Sequence, residues 1–273
     1  EEEKDETQGR KTMILFMIAC ILMNLQAKKL VVQTIPVGAG IRIAHISDLH
    51  FDKIIIEPAY LIKELCRKRP EVIVITGDLC TELKYFDRVS NFLDMLAYKT
   101  DCPILITLGN HDNYIFKKGD CTKEEYIAEL EAISPNIRVL ENKKYIYKNI
   151  LFGGLGDIKT NTGNIEKIAL SWNMEAKEKQ YKYIILTHNP DLALNLPRLS
   201  ELTVFLAGHT HGGQVQIPFN LEFVLLKKDI LPKKGIYYGL HDFNGIKLYI
   251  TSGIGCSLLP IRFRSKAEIA FLE

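Results

Sequence analysis

No two cysteines of this chain stand in a C-x-x-C arrangement. The six, at 20, 66, 80, 102, 121 and 256, are scattered, which excludes a small disulfide scaffold and a thiolate zinc ribbon. An excess of one charge is missing too. Against 33 acidic side chains stand 35 basic ones, a net +2, unlike a generic nucleic-acid binder or an acidic disordered chain. There is no internal repeat, no low-complexity tract and, after residue 40, no linker-like stretch. What is there is ordinary for a globular protein: 273 residues, 47% apolar and 25% charged, enough to bury a full core. Histidine is the exception. There are seven, and five of them sit in short polar clusters at the ends of apolar runs.

The front end stands apart. Residues 1–11 form a polar tail, and an unbroken apolar stretch runs from Met13 to Met23. As a helix, residues 12–27 would span ~24 Å, short of a ~30 Å hydrocarbon core. Arg10, Lys11, Lys28 and Lys29 flank the run and could snorkel to close the gap. This pattern predicts a membrane anchor or signal-anchor helix at 12–27, placing the protein at the cell membrane, with 28–39 as a linker and 40–273 as the domain. A buried N-terminal core helix or a cleaved secretion signal is the alternative, and no A-x-A site follows the run. Basic residues flank both ends almost equally, so charge bias sets no orientation.

From residue 40 onward, short apolar runs alternate with amphipathic segments. Strands are expected at Ile41–Ile46, Val72–Thr76, Ile104–Leu108, Ile137–Leu140, Lys144–Lys148, Ile150–Gly154, Tyr183–Thr187 and Thr203–Ala207. Helices are expected over Pro58–Lys68, Leu83–Tyr98, Lys123–Ile133 and Ile165–Lys179, and Val215 onward reads as strands around a lysine-dotted loop. This is an α/β order in which each polar cluster lies just past the carboxyl end of a strand, the edge where open α/β sheets bind ligands. The clusters are Asp48-x-His50, Gly77-Asp78, Gly109-Asn110-His111-Asp112, His188 and Gly208-His209-Thr210-His211. Carboxylate, amide and imidazole together suit hard-to-borderline divalent metals, and no thiolate is among them. On an extended backbone, 48 and 50 point the same way, as do 209 and 211. Seven candidate ligands are too many for one ion and suit two that share a carboxylate. His45, His241, Cys80, Cys102 and the glycine run at 153–156 read as core or turn residues rather than site residues.

The order D-x-H, G-D, G-N-H-D, H, G-H-T-H resembles the calcineurin-like metallophosphoesterases and spans residues 41 to 211. The continuation Gly208 to Val215, and Gly255 through Pro260-Ile-Arg-Phe263, looks like the YkuE-like branch, which includes membrane-associated bacterial enzymes and relatives acting on UDP-diacylglucosamine. The resemblance implies a four-layer αββα sandwich of two mixed sheets, here preceded by the apolar N-terminal helix. It implies that Asp48, His50, Asp78 and His211 hold one divalent metal. Asp78 would bridge to a second, held also by Asn110, His188 and His209. His111 would face the phosphoryl group as an imidazolium, oriented by Asp112. The reaction implied is hydrolysis of a phosphodiester or pyrophosphate by metal-bound hydroxide, with no covalent intermediate. Four imidazoles favour Mn, Fe or Zn over Mg or Ca. Arg262 and Arg264 are expected to contact phosphate if the last strand returns to the site. The apolar run Ile217–Leu226, followed by Lys227, Lys228, Lys233 and Lys234, reads as a lip for a lipid-linked substrate or as a core piece. A nuclease of the same superfamily and a non-catalytic scaffold on the same fold are the rival functions. The first lacks a basic face and the second would need missing ligands.

Overall fold

Two β-branched runs set the frame, because only a strand buried on both faces accommodates sequences such as Val72–Thr76 and Ile104–Thr107. In the computed structural model both are wholly buried. It describes all residues except 1, 157–163, 200, 201, 218, 220 and 227, and for 2–11, 202, 203 and 224–226 the backbone alone. Pro218, Asn220 and Lys227 of the expected lip thus lie outside the described residues.

The first sheet has the order β1-β12-β2-β3-β4-β5, formed by Leu30–Ile35, Ala267–Leu272, Ile43–Ile46, Val72–Thr76, Ile104–Thr107 and Ile137–Val139. The second has the order β10-β11-β9-β8-β7-β6, from Gly239–Phe243, Ile246–Ile250, Leu202–Ala207, Lys182–Leu186, Ile150–Gly154 and Lys143–Tyr147. Both are mixed: β12 runs antiparallel to β2, and β10 and β6 run antiparallel to their neighbours. Alternate residues of each strand face opposite sides. Ile43, Val72, Val74, Phe152, Ile184 and Val204 therefore fill the layer between the sheets. Outside the first sheet, α2 (Pro58–Arg67), α3 (Phe86–Thr100) and α5 (Lys123–Ala132) cover Ile46, Ile73 and Ile75. Outside the second, α6 (Ile165–Lys179) covers Leu151, Ile185 and Phe205. The result is helix, sheet, sheet, helix.

Three expectations need correction. Residues 28–39 are not a linker, since β1 within them pairs in parallel with β12 from Leu30 to Ile35. The stretch after Val215 is not only strands, because α7 (Leu221–Leu226) and α8 (Ile230–Lys233) interrupt it. At the front, α1 runs Glu2–Ala27, so the polar tail is helical as well. Its end is tied to the domain: Asn24 Nδ2 donates to Pro260 O (2.8 Å) and Arg262 N to Met23 O (3.1 Å). Met13 to Ile18, with Ile21, Leu22 and Leu25, stay exposed, so the buried-core-helix alternative fails. The structure does not support a spanning anchor either. Among the described residues, no helix is long and apolar enough to cross a membrane.

Candidate metal centre

All the polar clusters lie at one edge of the sandwich. Asp48 and His50 follow β2, Asp78 follows β3, and Asn110, His111 and Asp112 open α4 (Asn110–Lys118) after β4. From the second sheet, His188 follows β8, and His209 and His211 follow β9. Five of these residues have left-handed backbone conformations: Asp48 (φ 52°), His50 (φ 42°), Asp78 (φ 55°), His209 (φ 72°) and His211 (φ 53°). The extended geometry expected for 48/50 and 209/211 is therefore wrong. Non-glycine residues adopt this conformation at a cost, and its concentration here marks a site where surrounding contacts override local preference.

Those contacts are visible. The loops after β2 and β3 are laced together by His50 N to Asp78 O (3.0 Å) and Phe51 N to Leu79 O (2.9 Å). His209 N donates to Asp48 Oδ2 (3.0 Å), joining the two sheets. Close approach explains two glycines. A Cβ on Gly109 would overlap Asp78 Oδ1, and one on Gly208 would overlap Ser47 Oγ.

The side chains converge as two sets sharing one oxygen. In the first, His50 Nε2 lies 3.3 Å from His211 Nε2 and 3.5 Å from Asp78 Oδ2, while His211 Nε2 lies 3.3 Å from Asp48 Oδ1. In the second, His188 Nε2 lies 3.3 Å from the same Asp78 Oδ2, 3.1 Å from Asn110 Oδ1 and 3.1 Å from His209 Nδ1. Ligands at ~2.1 Å from a tetrahedral ion are ~3.4 Å apart, so these spacings suit donors gathered around cations. Three groupings, Asp48/His50/His211, His50/Asp78/His111 and Asp48/Asp78/His188, each place their donor atoms within 4.8 Å of one another. The donor set suits two divalent ions.

Asp78 is held to this task. Its Oδ1 accepts from His111 N (2.7 Å), leaving Oδ2 to face the imidazoles. Burial opposes its charge, but His188, His50 and His111 outweigh burial and keep the carboxyl well below its usual range. His188 Nδ1 is bonded to Thr76 O at 2.8 Å, which fixes the tautomer and turns Nε2 to the site.

Three expected roles meet a different geometry. Asp112 does not orient His111: its Oδ2 accepts from Asp78 N and Gly109 N (both 2.8 Å) and its Oδ1 from Leu79 N (3.0 Å). It ties the start of α4 to the Asp78 loop. The partner of His111 is Thr81, whose Oγ1 lies 3.3 Å from Nδ1, a contact no motif announced. Burial pushes the pKa of His111 down to about 4. Arg262 does not reach phosphate. Wholly buried, it donates to the carbonyls of His211 (3.4 Å), Ser252 (2.9 Å), Gly253 (3.3 Å), Gly255 (2.6 Å) and Lys266 (3.3 Å), and to Ser265 Oγ (3.1 Å). Gly253 and Gly255 press against Asp48 and Leu49, so this guanidinium braces the first metal loop from behind. Arg264 is exposed on the rim of a cavity beside Gly212, Ser252 and Lys266, whose lining includes none of the seven donors. His45 is buried on Thr76 Oγ1 (2.8 Å), and Cys80 and Cys102 are buried free thiols, as core residues should be.

The profile of the calcineurin-like phosphoesterase family matches residues 41–213. The chain belongs to this family. As a member it is a metal-dependent phosphoric ester hydrolase. It is 27% identical over 243 residues to the uncharacterized metallophosphoesterase YkoQ of Bacillus subtilis, covering 87% of this chain and 84% of that one. It is 26% identical to phosphodiesterase YaeI of Escherichia coli (86% and 83% covered) and 26% to the metallophosphoesterase YkuE of B. subtilis (84% and 77%). The NAD nucleotidase NadN of Haemophilus influenzae shares the fold at TM-score 0.51 and 16% identity, over 79% of this chain and 45% of that one.

The brace and the rim arginine should behave oppositely. Arg262→Met strands several buried acceptors and is expected to lower unfolding stability by at least ~3 kcal/mol, whereas Arg264→Ala should change it by less than ~0.5 kcal/mol. Urea unfolding midpoints read both values, and equal effects would contradict the assignment.

Proposed function

We propose that this chain is a dinuclear phosphoesterase that cleaves a phosphodiester or pyrophosphate, and that its substrate is lipid-linked. The observation behind the reaction is the single oxygen, Asp78 Oδ2, that faces both imidazole-rich sets. Asp48, His50, Asp78 and His211 would hold one ion, and Asp78, Asn110, His188 and His209 the other, with Mn, Fe or Zn favoured by the four imidazoles. Two such ions, when bound, acidify water and polarise phosphoryl oxygens for in-line displacement. The chain's own residues do the rest. Left-handed backbone at Asp48, His50, Asp78, His209 and His211 keeps the donors preorganised in a buried pocket. His111, held through Nδ1 by Thr81, is free to offer an Nε2 proton to a phosphoryl or departing oxygen. All seven donors and His111 are present and gathered, which favours catalysis over a scaffold.

Three observations support a lipid-linked substrate at a membrane surface. A groove of about 360 Å³, lined by Val215, Ile217, Phe223, Leu258, Leu259 and Ile261, opens beside His211. At its rim Leu258 is 81% and Leu259 60% exposed. The last turn of α1, whose apolar side chains are exposed, is tied to the adjoining residues Pro260 and Arg262, and exposed Lys228, Lys233 and Lys234 lie on the segment beyond α7. Exposed apolar side chains and lysines on one protein suit an anionic bilayer surface, each lysine near it adding about 1 kcal/mol.

Hydrolysis of bis-p-nitrophenyl phosphate is expected to require added Mn, Fe or Zn and to stop with chelator. His111→Ala should keep its metal on elemental analysis while kcat falls ~10²–10⁴-fold. Full activity in that variant, or loss of its metal, would contradict the assignment. For the substrate class, Leu258→Ser/Leu259→Ser should slow turnover of a lipid-linked diester in anionic vesicles and leave the soluble diester unchanged. Equal behaviour on both substrates would leave a generic diesterase.

A further inference from the structure

Behind the second donor set stands a carboxylate from a segment that no motif marked. Asp229, buried just ahead of α8, places Oδ2 3.3 Å from Nε2 of His209. His209 turns its other nitrogen inward, with Nδ1 3.1 Å from His188 Nε2. An imidazole that binds a cation through Nδ1 is neutral and carries its proton on Nε2. The Nε2 of His209 is buried without a completed hydrogen bond, and Asp229 faces it.

Asp229 is itself held in place by the residues that follow His188. Asn189 Nδ2 donates to Asp229 Oδ1 (3.3 Å). Asp191 accepts from Ile230 N through Oδ2 (2.6 Å) and from Leu231 N through Oδ1 (2.8 Å). The stretch 188–191 therefore supplies one donor of the second set directly and fastens the carboxylate that backs another.

We propose that Asp229 is a positioning residue for the second metal: it accepts the Nε2 proton of His209, fixes that tautomer and ring orientation, and so presents Nδ1 to the ion. The inference rests on the dinuclear reading above. It treats the two sites unequally, because Asp229 faces His209 of the second set, whereas His50 and His211 of the first set face the centre through Nε2. Removing a carboxylate behind a ligating histidine costs about 10–100-fold in metal affinity. Asp229→Ala should show that loss at one site only, and Asp229→Asn should fall between, since its amide oxygen can still accept.

The test titrates Mn²⁺ into the full chain and three variants, Asp229→Ala, Asp229→Asn and the neighbouring Lys228→Ala. Calorimetry and equilibrium dialysis read two affinities per chain, and circular dichroism confirms the fold. Expected are two ions in the wild type and in Lys228→Ala. In Asp229→Ala the second ion should be weakened about 10–100-fold and in Asp229→Asn by less, with the first ion unchanged in both and kcat recovering as Mn²⁺ is raised. Wild-type affinity for both ions in the Asp229 variants, or equal weakening of both, overturns the proposal while leaving the dinuclear reading intact. A wild-type chain that takes up only one ion overturns the two together. Should Asp229→Ala fail to fold, Asp229→Asn, nearly isosteric, decides alone.

Discussion

The structure turns on one buried carboxylate. Asp78 is placed between two sheets with both oxygens committed: one to the backbone of His111, the other to His50 and His188 at 3.5 and 3.3 Å. A lone buried carboxylate is costly, and only partnered charge makes it tolerable. The fold provides partners by ending β2, β3, β4, β8 and β9 at one edge, so that residues distant in sequence meet within hydrogen-bonding range. The strained left-handed turns, the glycines that admit Asp78 and Ser47, and the Asp112 ties to Gly109, Asp78 and Leu79 all serve that meeting.

Support comes from layers behind the donors. Thr76 O fixes one histidine, Asp229 faces another, and the Arg262 guanidinium collects five carbonyls beneath the loop that touches Asp48. A guanidinium is suited to this because its donors form a rigid planar fork. These contacts hold the donors in place, which is the condition under which electrostatic stabilisation of a transition state is most effective.

Most of the sandwich was legible in the sequence because its strands are buried on both faces and read as continuous apolar runs ending in polar clusters. The strand β1 was not. Its sequence LVVQTI lies between lysines and a proline-glycine stretch, and only its partner β12, at the far end of the chain, makes it a strand. The donors were legible as short motifs. Their supports were not, for a physical reason. Thr81, Asp229 and Arg262 act through contacts whose partners lie far away in sequence, and nothing local distinguishes them from surface threonine, aspartate or arginine. Arg262 was misjudged on this account, since arginine near a phosphate site suggests phosphate until its burial is seen. Asp112 was misjudged through adjacency, because a neighbour in sequence at a helix start bonds to backbone N–H groups rather than to the next side chain.

Asp78 would hold two ions through one carboxylate oxygen, and electron paramagnetic resonance of the Mn²⁺-loaded chain reads this directly. Ions so held would couple their spins, and the expected result is two Mn²⁺ per chain with a broadened, exchange-coupled spectrum that Asp78→Asn abolishes. A sharp six-line spectrum of isolated Mn²⁺ at full loading would contradict it.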